Sequence, residues 1–414
     1  MLIGIAGAWA SELAAQGSLA RRLERLLDRR PFNRASWGVL VVNQRGQTVF
    51  ERNADRRFVP ASTAKLAVTA AASMLLPPDY RITTSVFGTG PLTDGVLQGD
   101  LVVYGRGDPG FGAHCYGPDT LAAGVCDAMW TRLDALADSL VARGVGEVAG
   151  AIVGDGSYFD RTLVHPEWQG YHLNWWYAAP VSGLGFNDNS VNITWKSGPR
   201  VGAPAVIRFE PDPNRYFAQA LRAALIYPLL NDSHNWYAEM LVKLLGRERG
   251  EGGSWSGGLA VIRQFLVDSV GVDSSAFSLH DGSGLARGNL ISPRAVVQLL
   301  LHMRGYPDNA GFLRALPMPG TGTLRDRLVC TAADGRLLAK TGSLGQVHSL
   351  AGYLDRGGGG AYIFDIVANN HTARYADGVA QIDSLVLALA GPGAPVRGVA
   401  SGDQCEASPG SPHP

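Results

Sequence analysis

The spacing of apolar positions changes several times along this chain. Ser18 to Arg30 sets leucines at helical spacing among arginines and predicts an amphipathic helix. Trp37 to Asn43 and Thr48 to Glu51 are β-rich runs around the turn Gln44-Arg45-Gly46-Gln47, a hairpin. Pro60 then rigidifies the approach to an Ala-, Leu- and Lys-rich stretch. That composition predicts a helix from Ser62 to about Pro77-Pro78. From Tyr80 the pattern shortens. Ile82 to Phe87, Val96-Leu97, Asp100 to Tyr104 and Ala149 to Val153 read as short strands broken by Gly and Asp, with a helical segment, Leu121 to Arg143, among them. Aromatics crowd Trp168 to Tyr177, and Asn187 to Thr194 reads as a turn followed by a strand. Helical spacing returns at Tyr216 to Leu230, Trp236 to Leu245 and Leu259 to Val270. Ser292-Pro293 supplies an N-cap and a first-turn proline for a helix to Arg304. Gly335 to Lys340, Gln346 to Leu354 and Ala361 to Asn369 predict an antiparallel set, closed by a helix over Ala376 to Ala390.

These elements predict an α/β (α+β) fold, in which an antiparallel sheet flanked by helices is built from both ends of the chain. Residues 18–80 and 221–390 form that domain, and 81–220 form an inserted, mostly β domain. A chain of 414 residues is long enough for both. Residues 1–17 read either as the remnant of a secretory signal, with the small-x-small pattern Ala8-Trp9-Ala10 but no basic n-region, or as a plain N-terminal strand or helix. Gly391 to Pro414, rich in Gly, Pro and Ser, reads as a disordered tail.

Composition narrows the function classes. Lys+Arg and Asp+Glu are both 36, so no net charge draws the chain to nucleic acid. No apolar run approaches the ~20 residues of a membrane span. The four cysteines, Cys115, Cys126, Cys330 and Cys405, lack metal-ligand spacing, and Cys115 with Cys126 could bridge in an oxidising compartment. No metal or cofactor is expected. Gly105 to Gly110 formally fits a dinucleotide fingerprint, but no βαβ pattern surrounds it. His348 either lines a site or packs, and Trp168, Trp175 and Trp176 either bind ligand or fill a small β-domain.

The chemistry concentrates in three places. Ser62 and Lys65 are three apart on a predicted helix, so their side chains share a face. A desolvated lysine can take the serine proton, and helix N-terminal N–H groups can hold an oxyanion. Alone, Ser62 is better read as an N-cap and Lys65 as a solvated residue of the first turn, because short motifs match by chance. Ser233-His234-Asn235, just before a helix, offers a hydroxyl and an amide two apart. Lys340-Thr341-Gly342-Ser343, at a strand end, offers a cation and two hydroxyls suited to a carboxylate, with Gly342 allowing close backbone approach.

The three motifs in this order resemble those of penicillin-binding proteins and serine β-lactamases. The finer resemblance is to the D-alanyl-D-alanine carboxypeptidase/endopeptidase family, the low-molecular-mass class C penicillin-binding proteins. It extends to Gly99-Asp100-Leu101 through Gly107-Asp108-Pro109, Gly154 to Asp160, Ala179-Pro180 through Asn189, and Asp281 to Arg287. It thus covers about Trp37 to Asn370. The resemblance implies a serine β-lactamase/transpeptidase-like fold and an exported, periplasmic or extracytoplasmic enzyme. It also implies peptidoglycan stem peptides as substrate and β-lactam antibiotics as inhibitors. Carried across, it makes Ser62 the nucleophile and Lys65 its base. Ser233 relays a proton to the leaving amine and Asn235 holds substrate and Lys65. Lys340 supplies positive potential, Thr341 and Ser343 meet the terminal carboxylate, and the N–H groups of Ser62 and Ser343 form the oxyanion hole. Two features depart from the family. The stretch from Phe209-Glu210-Pro211 to Leu229-Leu230-Asn231 is much shorter, and Tyr171 to Tyr177 lacks the acid of members that read diaminopimelate. The competing readings are a β-lactamase or esterase on the same fold and a catalytically idle peptidoglycan-binding protein.

Overall fold

The computed structural model describes residues 17–77, 79–111, 131–189, 192–196, 206–210, 233–306, 310–357 and 360–391. The chain divides into two compact units. One takes Met1–Thr63, Val270–Ser278 and Asn289–Pro414; the other takes Ala64–Ser269 and Leu279–Gly288. The expected helix at Tyr216 to Leu230, the cysteines other than Cys330, and the tail beyond residue 391 lie outside the described residues.

The first unit is an antiparallel sheet with helices on both faces. Its strands are β1 (Ser36–Asn43), β2 (Thr48–Arg52), β3 (Leu337–Leu344), β4 (Val347–Gly357) and β5 (Gly360–Asn369), in the order β3-β4-β5-β1-β2. Both chain ends feed one sheet because β1 pairs along its whole length with β5, Ser36 opposite Asn369. Alternation sorts the side chains. Trp37, Val39, Val41, Leu337, Leu350, Phe364 and Ile366 pack with Leu23 and Leu27 of the helix over 17–27, and with Ile382, Leu385 and Leu389 of the helix Tyr375–Ala390. The opposite face receives the helix Pro293–Gly305, whose Leu300 carbonyl accepts from the Tyr353 hydroxyl at 2.7 Å. That helix starts as its sequence dictates, the Ser292 hydroxyl accepting from the Ala295 N–H with Pro293 in the first turn.

Two elements differ from expectation. The third motif lies inside β3 rather than at a strand end, because pairing with β4 continues to Leu344 opposite Val347. A loop of only Gly345 and Gln346, the latter at φ 63°, closes the hairpin. The Ser62 helix opens with a 3₁₀ turn, Ala61–Ala64, before the α-helix Lys65–Leu75.

Among the described residues the second unit holds three small sheets. They join Ser85–Gly88, Leu101–Tyr104 and Ile152–Asp155; Leu92–Thr93, Val96–Leu97 and Glu147–Val148; and Asn192–Lys196 with Val206–Glu210. The helix Thr131–Val141 lies among them in sequence. Its other part is helical: Lys65–Leu75 packs on Asn235–Arg249, which packs on Trp255–Gln264. Among the described residues no helix is long and apolar enough to cross a membrane.

Candidate active site

In the first unit the segment before Ser62 is tied to the sheet. Phe58 and Ile291 exchange backbone hydrogen bonds at 2.9 and 2.9 Å. The Asn369 amide, at the end of β5, accepts from the Val59 N–H at 2.9 Å and donates to its carbonyl at 3.1 Å. The Pro60 carbonyl then accepts from the Thr63 hydroxyl at 2.8 Å and the Ser349 hydroxyl at 2.7 Å. Ala61 sits at φ 50°, a left-handed backbone costing about 1–3 kcal/mol for a side chain with a Cβ. The strain is held by these anchors, and it sets the direction in which the next residue, the partly exposed Ser62, leaves the turn.

Gly342 of β3 faces the same turn. A Cβ there would lie 2.7 Å from the Pro60 carbonyl oxygen and 3.1 Å from the Thr63 nitrogen, and would collide with the Ser349 hydroxyl. No larger residue fits. Just before it, Lys340 is fully buried with Nζ donating to the Thr341 carbonyl at 2.7 Å, and the Thr341 hydroxyl donates to that of Thr323 at 2.7 Å. Ser343 is exposed. His348 packs: it is 4% exposed, and its Nδ1 lies 2.9 Å from His371 Nε2.

In the second unit Lys65 opens its α-helix with an ammonium that reaches no water. It is 0% exposed, and Nζ donates to Asn235 Oδ1 at 2.7 Å and to the Ser283 carbonyl at 2.8 Å. Burial lowers its pKa to about 7, against the charges of Glu239 and Asp281, which pull it back up. A lysine that loses its proton near neutrality is a usable general base. The Asn235 amide also donates to the Tyr177 carbonyl at 3.2 Å, so the aromatic segment supports the second motif through its backbone. Ser233 stands at φ 60° and is partly exposed. Between them His234 is fully buried, Nε2 lying 3.1 Å from Asp188 of the Asn187–Asn189 turn. Trp168 is a packing residue, with Nε1 donating to Asp281 at 3.0 Å, whereas Trp175 and Trp176 are exposed.

The chain has known relatives. Residues 19–224 and 220–389 match the pattern of the D-Ala-D-Ala carboxypeptidase 3 (S13) family. The chain belongs to that family. It is therefore a peptidase enzyme, consistent with its similarity to the D-alanyl-D-alanine carboxypeptidase of Actinomadura sp. (strain R39), which is 27% identical over 475 aligned positions, 90% of this chain and 85% of that protein. The Carboxypeptidase DacB of Mycolicibacterium smegmatis is 29% identical over 355 positions, 78% of this chain and 74% of that protein. Penicillin binding protein 4 (dacB) from Haemophilus influenzae superposes with a TM-score of 0.71, covering 89% of this chain and 98% of that one; at 18% identity this likeness is one of fold. The family fold is the α/β arrangement expected from the motifs.

Three groups at the site were given no role by the motifs: Glu239, Asp281 and the Ser283 carbonyl, the last two within the 281–287 stretch of the resemblance. A signal for the first was present. Asn235, Glu239 and Lys243 recur every four residues, a polar row along one face of an otherwise apolar helix, and all three face the unit's interior. A backbone carbonyl leaves no such trace.

Proposed function

We propose that the chain is a penicillin-sensitive serine DD-peptidase that acts on the D-Ala-D-Ala end, or a cross-link, of peptidoglycan stem peptides. Lys65 Nζ takes the proton of Ser62 Oγ as that oxygen attacks the carbonyl carbon of the penultimate D-alanine. The oxyanion is held by the N–H groups of Ser62 and Ser343. As the tetrahedral centre collapses the C–N bond breaks, and the departing amine receives a proton through Ser233. Water then cleaves the acyl ester by the reverse proton path. Asn235 keeps Lys65 and substrate oriented, Lys340 provides positive potential, and Thr341 and Ser343 bind the terminal carboxylate, with Gly342 leaving room beside the turn. A β-lactam acylates Ser62 in the same way but keeps its amine tethered. The observation carrying this reading is the buried Lys65 amine, held between Asn235 and Ser283 with its pKa lowered to about 7.

An extracytoplasmic site of action agrees with such a substrate and with Cys330, which is disulfide-bonded. Intact-protein mass spectrometry after incubation with benzylpenicillin tests the assignment. A lasting adduct that disappears in Ser62→Ala is expected. No adduct on the folded parent would favour an idle peptidoglycan-binding protein, and rapid drug turnover without an adduct a β-lactamase.

A further inference from the structure

The peptide group between Ser283 and Gly284 joins a carboxylate to the Lys65 amine. Its carbonyl accepts from Lys65 Nζ at 2.8 Å, and its N–H donates to Asp281 Oδ1 at 2.8 Å. The two preceding N–H groups, of Gly282 and Ser283, both donate to Glu239 at 2.9 Å, and Trp255 Nε1 donates to it at 2.8 Å. Asp281 Oδ2 accepts in addition from the Ala286 N–H at 2.6 Å and from Trp168 Nε1. None of this is surface chemistry: Glu239 is 0% exposed, and Asp281 and Ser283 are each 1% exposed. The turn lies directly on the helix Asn235–Arg249, because a Cβ on Gly282 would stand 2.8 Å from the Ala238 carbonyl oxygen. Two buried carboxylates thus hold one short turn and aim one of its carbonyls at an amine.

We propose that Glu239, together with Asp281, is a positioning residue for acyl transfer. It fixes the 281–286 turn so that the Ser283 carbonyl meets Lys65, and its charge helps set the pH at which Lys65 becomes a base. The inference rests on Lys65 being that base. The charged groups around Glu239 are Lys65, Asp281 and Lys243, the last paired with Asp160 at 2.6 Å, while His165 stands near Asp281. Burial, with Asp281 beside it, raises the Glu239 pKa, against the donors on Ser283, Trp255 and Gly282 that favour its charged form.

The test is the rate of benzylpenicillin acylation of the full chain between pH 5 and 9, for the parent and for Glu239→Gln, with melting temperatures alongside. Gln removes the charge and turns an NH₂ toward a backbone N–H. The expected result is a pH midpoint lower by about half a unit or more, because a negative charge that favoured the ammonium is gone. The plateau rate should fall roughly tenfold or more as the amine loses its orientation. A residue that only packs would lower the melting temperature and leave the midpoint in place, and an unchanged midpoint and plateau overturn the inference. If Glu239→Gln does not fold, Trp255→Phe removes one donor to the same carboxylate. It should move the midpoint in the same direction by less, and no movement overturns the inference equally. Lys65→Ala separates the two levels. If it acylates at the parent's rate, the base assignment fails and the inference falls with it; if it is inert while Glu239→Gln matches the parent, only the inference falls.

Discussion

Lys65 Nζ and Asn235 Oδ1, 170 residues apart in sequence, meet at 2.7 Å. The amide offers its oxygen to the lysine, and its nitrogen donates to the Tyr177 carbonyl, so its orientation is fixed at both ends. Asn235→Ala should lower the rate of benzylpenicillin acylation about 100-fold while costing stability only about 1–3 kcal/mol. Timed intact-mass measurements and a denaturant melt check the two halves. An unaffected acylation rate would remove Asn235 from the site.

Acylation should rise with pH through a midpoint near 7, where burial has placed Lys65. Below it the ammonium has no lone pair for the serine proton, so the rate falls as pH falls. A midpoint close to the ordinary lysine value of 10.5 would show that burial does not lower Lys65 in the working protein.

Gly342→Ala introduces a methyl group where the Pro60 carbonyl oxygen would be 2.7 Å away. Either β3 or the turn preceding Ser62 has to move. A loss of about 1–3 kcal/mol is expected, with a larger fractional loss of penicillin labelling than of folded protein. Wild-type labelling in this variant would contradict the close approach.

Asp365 in β5 is a carboxyl without a use in the reaction. It is 3% exposed, its Oδ1 lacks a hydrogen-bond partner, and burial pushes its pKa well above the ordinary carboxylate range. The folded state therefore holds a proton that the unfolded chain releases near pH 4. Stability from this group is fully present below that pH and is lost as pH rises toward the folded-state value. Asp365→Asn should melt higher than the parent at pH 8, by about 1–3 kcal/mol, with the gap closing near pH 4. Equal melting at both would refute the neutral buried state.

Much of this was legible in the sequence, because the signals were local. Ser292-Pro293 capped the helix it announced, and the runs around Trp37, Gln346 and Ala361 became neighbouring strands. The three motifs led to Lys65 with Asn235, and to Gly342 with the turn before Ser62. What stayed hidden depends on tertiary partners. Glu239 shows in the sequence only as one of a polar row with Asn235 and Lys243; its donors come from the turn at 281–286, which that row does not announce. The left-handed Ala61 has no composition that announces it, since its anchors are Asn369 and Ser349, about three hundred residues on. Asp365 is a lone carboxyl in an apolar β-rich run, and nothing local marks it as 3% exposed.

The buried row of Asn235, Glu239 and Lys243 bears on how the enzyme is made. A helix with these groups turned inward cannot settle into an apolar interior before Trp255 and the 281–286 turn arrive to satisfy them. Until then the Lys65 amine lacks the Ser283 carbonyl. With Lys65 as the proposed base, penicillin labelling should therefore report completed assembly of this part of the chain, and a dose of the antibiotic during refolding should count finished molecules rather than collapsed ones.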